Sequence, residues 1–200
     1  MTQGMRRARR VAWSIPALAF ALWWCQKPAD STADAAGARA APPFPSRSPE
    51  DWVGPPARWE ALRGQVVLLH VWTFGCSNCV RTLPWYRAVD ARYRPRGLRL
   101  IGVHTPEFAH EREKEEVRKH AEEHGLSWPH LLDADSGYWN ALGNQYWPTT
   151  YLADRCGRLR ARRIGEVHED EESGRQLQAR IEELLAEPAG GCEGLMPDAP

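Results

Sequence analysis

The chain has 200 residues, 42% of them hydrophobic, which allows one domain of about 150 residues with extensions. Its 26 Lys and Arg residues balance 26 Asp and Glu residues, so the formal net charge is zero. Because the basic residues are also scattered, the sequence carries no positively charged footprint for nucleic acid, and we expect no nucleic-acid partner.

Residues 1–25 have the pattern of an export signal or a short membrane anchor. Four arginines in MTQGMRRARR precede VAWSIPALAFALWW, an apolar run that Pro16 interrupts. A comfortable membrane span needs about 20 apolar residues, so a signal peptide or signal-anchor fits this run better. The positive charges upstream would hold that end in the cytoplasm and send the rest of the chain outward. Cleavage of the segment stays open, and a buried helix is the alternative interpretation.

Residues 26–50 are predicted to be a flexible linker. Ala, Pro, Ser and Asp dominate KPADSTADAAGARAAPPFPSRSPE, which offers little material for a hydrophobic core. We therefore place the folded domain at residues 51–188 and a C-terminal tail at residues 189–200.

The first half of the domain alternates strand and helix. Gln65–Thr73, QVVLLHVWT, is a nearly continuous apolar run and predicts a strand that is buried on both faces. Apolar residues near helical spacing predict a helix over Ser77–Tyr93, in which Pro84 should cause a kink or local break. A second strand is predicted over Leu98–His104.

The second half adds three helices and a hairpin. Glu107–His124 is densely charged and predicts a surface helix, and Ser136–Leu142 predicts a short one. Thr149–Asp154 and Leu159–Ile164 flank a turn and predict a β-hairpin, which a last helix over Glu171–Ala186 follows. This order predicts an α/β fold with a central mixed β-sheet and helices on both faces. The first crossover should be parallel and right-handed.

Two cysteines, Cys76 and Cys79, stand where the first strand gives way to the helix. Unpaired backbone amides and the helix dipole favour a thiolate at the first sulfur, so Cys76 is the predicted nucleophile and Cys79 the resolving thiol. A structural zinc site and an inert disulfide are the alternatives. A closed zinc site needs four ligands, usually as two close pairs, whereas Cys25, Cys156 and Cys192 are isolated. We therefore expect no metal and no cofactor.

The segment WTFGCSNCVRTLPWYR resembles the active-site region of thioredoxin-like proteins. The resemblance is strongest to the exported TlpA/DipZ-like branch of thiol-disulfide oxidoreductases. Trp72 stands four residues before Cys76, and Pro84 stands five after Cys79. Three further stretches resemble that branch, and they carry the resemblance from Asp51 to about Leu185: DWVGPPARWEALRG, GVHTPEFAHE and YWPTTYLADRCGRL.

The resemblance implies a thioredoxin fold and several site residues. Pro148 would be a cis-proline that faces the two sulfurs, although a turn proline is the alternative. Glu107 would lie beneath the cysteines and exchange protons with Cys79, unless it merely begins the charged helix. The implied substrate-binding residues are Trp72, Trp147, Pro148 and Thr149, although the aromatic ones could equally belong to the core.

The chain departs from the thioredoxin pattern at three places. His70 stands where many thioredoxins carry a buried Asp, and it could relay protons or simply be structural. Gly75 replaces a frequent Trp, and Ser77-Asn78 replaces Gly-Pro. These residues influence the thiolate and the reduction potential, so the direction of electron flow does not follow from the sequence.

On the implied fold, Cys156 and Cys192 come close at the end of the sheet opposite the active site. An exported protein commonly carries such bonds, so we expect a structural disulfide, with two unpaired thiols as the alternative.

These observations predict a monomeric thiol-disulfide oxidoreductase of the cell envelope, periplasmic or otherwise extracytoplasmic, which acts on protein disulfides. The branch resemblance implies a reducing role, for example in cytochrome c maturation, and a membrane thiol-disulfide electron donor. A thiol peroxidase is one alternative, because Thr73 stands three residues before Cys76. A non-catalytic binding module with locked cysteines is the other.

Overall fold

The computed structural model describes residues 39–188 together with Gly190 and Cys192. Its strands and helices, in chain order, are β1 (Trp52–Val53), α1 (Trp59–Leu62), β2 (Val66–Trp72), α2 (Ser77–Tyr93), β3 (Leu98–His104), α3 (Lys114–Glu123), β4 (His130–Leu132), α4 (Gly137–Leu142), β5 (Thr149–Ala153), β6 (Leu159–Ile164) and α5 (Glu172–Ala186). The predicted central mixed sheet flanked by helices is confirmed.

The six strands form one sheet in the order β1-β4-β3-β2-β5-β6. The central strand β2 pairs with β3 in parallel and with β5 in antiparallel fashion. All seven residues of β2 are buried, as its continuous apolar sequence predicts for a strand covered on both faces. The parallel strands β2 and β3 therefore end at the same edge, and α2 begins beyond the end of β2.

Two hydrophobic clusters cover the two faces of the sheet. The first cluster packs α2, α3 and α5 against the even-numbered residues of β2, among them Leu68 and Trp72. The second packs Trp59 of α1 and Tyr138 of α4 against the odd-numbered residues of the same strand, among them Leu69. Side chains of one strand point alternately to opposite faces, so β2 contributes to both clusters.

The predicted helix over Glu107–His124 is wrong in its first half. Ala109–Arg112 forms a 3-10 turn, and α3 begins only at Lys114. Phe108 and Glu113 have extended backbone conformations, so neither continues a helix. The charge pattern identifies the exposed face of α3 but does not reveal this interruption.

Part of the predicted linker packs against the domain. Ala41 is buried, and its N–H donates to the carbonyl oxygen of Gly157 at 2.8 Å. The Phe44 ring lies 5.2 Å from the ring of Trp59 and 5.2 Å from that of Tyr138. Composition alone indicates a linker here, yet one aromatic side chain and a few backbone hydrogen bonds attach the segment.

Within residues 39–188, no helix is both long and apolar enough to cross a membrane. The predicted signal or anchor, residues 1–25, lies outside the described residues, and so do residues 26–38 of the predicted linker. Export therefore stays a prediction from the sequence.

A disulfide joins Cys156 to Cys192. Cys156 lies in the turn between β5 and β6, so the bond attaches the segment after α5 to the sheet. Arg160 reinforces the same region, because its guanidinium contacts Glu187 at 3.0 Å and Asp154 at 3.0 Å. Cys192 is thus fixed to the hairpin covalently, and Glu187 is fixed to it by an ion pair.

Replacing both Cys156 and Cys192 with Ser should lower the free energy of unfolding by about 4 kcal/mol, because the bond closes a loop of 36 residues. Urea denaturation of the parent and the variant measures the difference. The double variant Cys76→Ser/Cys79→Ser is the matched control, since it removes two thiols that are free in the structure. Equal stability of parent and Cys156→Ser/Cys192→Ser variant would contradict the stabilising role.

Candidate active site

The two candidate redox cysteines lie at the beginning of α2. Cys76 is the N-cap residue of this helix, and its sulfur accepts a hydrogen bond from the backbone N–H of Cys79 at 3.2 Å. Cys76 is half-buried, whereas Cys79 is fully buried, and both thiols are free. A substrate disulfide can therefore reach Cys76, while Cys79 stays shielded one turn into the helix.

The pKa values of the two thiols are shifted in opposite directions. A hydrogen bond from the Cys79 thiol lowers the pKa of Cys76 to about 7, and the backbone N–H groups of Cys79 and Asn78 add to this effect. Burial and the negative charge of Glu107 oppose it. Burial, followed by the hydrogen bond to Cys76, raises the pKa of Cys79 well above its usual value. A nucleophilic thiolate at Cys76 and a protonated Cys79 are the states that thiol exchange requires.

Pro148 lies beside the end of the strand that leads to the cysteines. The Trp147-Pro148 peptide bond is cis, and the Pro148 carbonyl oxygen accepts a hydrogen bond from the N–H of Gly165 at 2.9 Å. The next residue, Thr149, pairs with Val71 across β5 and β2. This register places Pro148 next to the last residues of β2 and hence near the turn that carries Cys76.

Aromatic residues surround this edge of the sheet. Trp147 is half-buried, its Nε1 donates to the Thr105 carbonyl oxygen at 3.0 Å, and its ring lies 4.1 Å from that of Trp139. Phe108 and Tyr146 are each 55% exposed. Of the predicted substrate-binding residues, Trp147 is partly accessible and Pro148 is buried. The exposed Phe108 and Tyr146 are additional candidates that the sequence did not single out.

Two predicted substrate contacts are corrected by the structure. Trp72 and Thr149 are each 0% exposed, so neither side chain can touch a docked polypeptide. Trp72 belongs to the first cluster, and its Nε1 donates to Nδ1 of His130 at 3.2 Å. The Thr149 hydroxyl donates to the Tyr146 carbonyl oxygen at 2.6 Å. Both side chains therefore belong to the buried layer beneath the site.

The predicted buried glutamate is also corrected. Glu107 is exposed, whereas Glu111, four residues later, is 0% exposed. One oxygen of Glu111 accepts hydrogen bonds from the N–H groups of Glu107 and Phe108, at 2.6 and 3.0 Å. Both glutamates lie in a charged run that reads as a solvated helix, so no pattern in the sequence distinguishes the buried one.

Three buried histidines lie on the sheet face beneath α2. His70, His104 and His130 are each no more than 2% exposed, and the ring of His70 lies 3.9 Å from that of Tyr86. Burial lowers the pKa of His104 and of His130 to about 3, and lowers that of His70 well below its usual value. All three are therefore neutral at physiological pH. Among the described residues, neither ring nitrogen of His70 has a hydrogen-bond partner.

One ion pair borders the cysteines on the surface. Arg81, in the first part of α2, contacts Glu166 with Nε and Oε2 3.0 Å apart. Glu166 follows β6, in the segment whose Gly165 is bonded to Pro148. The pair therefore joins the active-site helix to the Pro148 loop.

Comparisons with known proteins agree with this geometry. The protein DipZ of Mycobacterium bovis is 42% identical over 115 residues, which are 56% of this chain but only 16% of that protein. The thiol-disulfide oxidoreductase YkuV of Bacillus subtilis is 28% identical over 148 residues, 72% of this chain and 95% of YkuV. The crystal structure of a thiol-disulfide isomerase from Corynebacterium glutamicum superposes with a TM-score of 0.61 at 23% identity, covering 74% of this chain and 98% of that one.

The relatives confirm the resemblance to the DipZ branch. The solution structure of a thioredoxin-like protein, with a TM-score of 0.62 at 25% identity over 74% of this chain and 96% of that one, confirms the thioredoxin fold. The AhpC/TSA family model matches residues 39–162, a range that includes Cys76, Cys79 and Pro148. That range is more than half of the chain. The chain therefore belongs to the AhpC/TSA family, with a thioredoxin-like fold.

Proposed function

We propose that this protein is a thiol-disulfide oxidoreductase that reduces protein disulfides through Cys76 and Cys79. One observation carries the proposal. At the start of α2 the accessible Cys76, with a pKa of about 7, lies beside the buried and protonated Cys79. The names of the relatives DipZ and YkuV support the reaction class, although the chain spans only 16% of DipZ.

The reaction has two exchange steps. The Cys76 thiolate attacks a substrate disulfide, a mixed disulfide forms, and one substrate sulfur leaves as a thiolate. Cys79 then loses its proton and attacks the Cys76 sulfur, which releases the second substrate sulfur and leaves a Cys76-Cys79 disulfide. The departing thiolates take up the Cys79 proton and one from water. The substrate gains two electrons, and an external dithiol must restore the enzyme.

The cell envelope is the proposed location, and a membrane thiol-disulfide protein is the proposed electron donor. The arginine-rich and apolar residues 1–25 support export. The disulfide between Cys156 and Cys192 also supports it, because such bonds persist mainly in oxidising compartments. A role in cytochrome c maturation and a monomeric state belong to the same proposal.

The two alternatives fit the site less well. The hydroxyl of Thr73, the residue that suggests a peroxidase, is fully buried and lies 3.3 Å from Nε2 of His104. A buried hydroxyl with a histidine as its partner has no exposed side from which to bind a peroxide. A binding module with locked cysteines would not need the two sulfurs to differ in acid strength, as Cys76 and Cys79 do.

Reduction of insulin disulfides by the purified protein, with dithiothreitol as donor, tests the proposal. The parent should accelerate insulin precipitation, and Cys76→Ser should lose more than about 90% of that rate because the attacking thiolate is gone. Cys79→Ala should instead accumulate a mixed disulfide, which mass spectrometry detects. A parent rate equal to that of the Cys76→Ser/Cys79→Ser double variant would exclude the activity, and peroxide consumption would identify a peroxidase.

A further inference from the structure

Glu111 is a fully buried carboxylate whose two oxygens differ in their surroundings. Oε2 accepts the hydrogen bonds from the N–H groups of Glu107 and Phe108. Oε1 has no hydrogen-bond partner among the described residues. An unpaired buried carboxylate oxygen costs free energy of folding, so its surroundings need an explanation.

The unpaired oxygen lies directly against Gly75, the residue before Cys76. A Cβ atom built on Gly75 would stand 3.2 Å from Cδ of Glu111 and would overlap Oε1. A side chain at position 75 would therefore have to displace the Glu111 carboxylate, which occupies that space.

The other oxygen of Glu111 holds the backbone of Glu107, whose charge acts on Cys76, and of Phe108. The negative charge of Glu107 raises the pKa of the Cys76 thiol, so the Glu107 carboxylate lies close enough to act on the sulfur. Phe108 is 55% exposed. Glu111 thus contacts the turn that carries Cys76 on one side and holds the backbone of Glu107 and Phe108 on the other.

We propose that Glu111 is a positioning residue of the active site. It holds the Glu107-Phe108 segment against the Gly75 turn and thereby sets the distance between the Glu107 charge and the Cys76 sulfur. The proposal rests on the proposed function for its biological meaning, but it concerns a property of Cys76 that can be measured without a substrate. This role depends on the shape of the Glu111 side chain and on the oxygen that accepts the two hydrogen bonds. It does not depend on the charge of Glu111, because the N–H groups of Glu107 and Phe108 need only an acceptor.

The pH dependence of Cys76 alkylation by iodoacetamide, read by peptide mass spectrometry, tests the proposal. Glu111→Ala should release Glu107 and lower the pKa of Cys76, at most by the shift that Glu107→Gln produces. Glu111→Gln keeps an acceptor of the same shape and should leave that pKa within about 0.2 unit of the parent value. Gly75→Ala should displace the carboxylate and lower the pKa as Glu111→Ala does.

A double-mutant cycle separates positioning from the charge of Glu111 itself. Glu107→Gln alone should lower the pKa of Cys76, and adding Glu111→Ala to that variant should change it no further. Equal shifts in Glu111→Gln and Glu111→Ala, or an additive shift in the double variant, would overturn the proposal. If Glu111→Ala does not fold, the other two variants still test the proposal. A changed pKa of Cys76 in Glu111→Gln, or an unchanged pKa of Cys76 in Gly75→Ala, would overturn it. Inactivity of the parent on insulin would defeat the proposed function while leaving these alkylation results interpretable.

Discussion

Iodoacetamide should alkylate Cys76 with a pH midpoint of about 7 and should leave Cys79 almost unmodified at that pH. At pH 7 a thiol with a pKa of 7 carries about 15 times the thiolate fraction of an ordinary cysteine. Cys79 is fully buried and its pKa is raised, so we expect its alkylation to be at least about 100-fold slower. Peptide mapping after mild reduction of the active-site pair measures both rates.

The matched pair for this measurement is Cys79→Ala and Cys79→Ser. The hydrogen bond from the Cys79 thiol is the largest cause of the lowered pKa of Cys76, so Cys79→Ala should raise the midpoint. Cys79→Ser keeps a donor and should raise it less. The backbone N–H bond to the Cys76 sulfur remains in both variants. Similar alkylation of Cys76 and Cys79 in the parent, at any pH, would contradict the division of roles between them.

The fold was predictable where an element is long and has one dominant pattern. The continuous apolar run identifies β2, and helical spacing identifies α2 with the bounds that the structure gives it, Ser77–Tyr93. The short strands β1 and β4, of two and three residues, carry no periodicity and were not predicted. Their pairing depends on neighbours that are distant in sequence, for example Trp52 opposite Leu131.

The site was predictable in its chemistry but not in its supporting residues. Cys76 and Cys79 follow from their spacing and from the helix that begins between them. The role of Glu111 depends on a contact with Gly75, 36 positions earlier, which no local pattern encodes. The burial of Trp72 likewise results from packing beneath α2, so a resemblance that places it near the substrate cannot show whether it is exposed.

The protein should lose stability steeply between pH 6.5 and pH 4.5, because three histidines are buried as neutral groups. The folded pKa of His104 and of His130 is about 3, and that of His70 is also lowered, against about 6.5 in the unfolded chain. As the pH falls below 6.5 the unfolded state binds protons that the folded state does not, so stability present above pH 6.5 is lost toward pH 3. Each such group contributes a slope of up to about 1.4 kcal/mol per pH unit, so three contribute up to about 4 kcal/mol per pH unit.

Urea denaturation at several pH values measures this slope, and one substitution isolates a single histidine. His70 has no hydrogen-bond partner among the described residues, so His70→Leu removes a proton-binding group at little cost in polar contacts and should reduce the slope by about one third. His130 has a separate reason to stay neutral, since its Nδ1 accepts the Trp72 hydrogen bond and a protonated ring could not. An unfolding free energy that does not change with pH over this interval would contradict the prediction. The folded state would then bind these protons as readily as the unfolded chain, and the three buried histidines would have to be accessible to water.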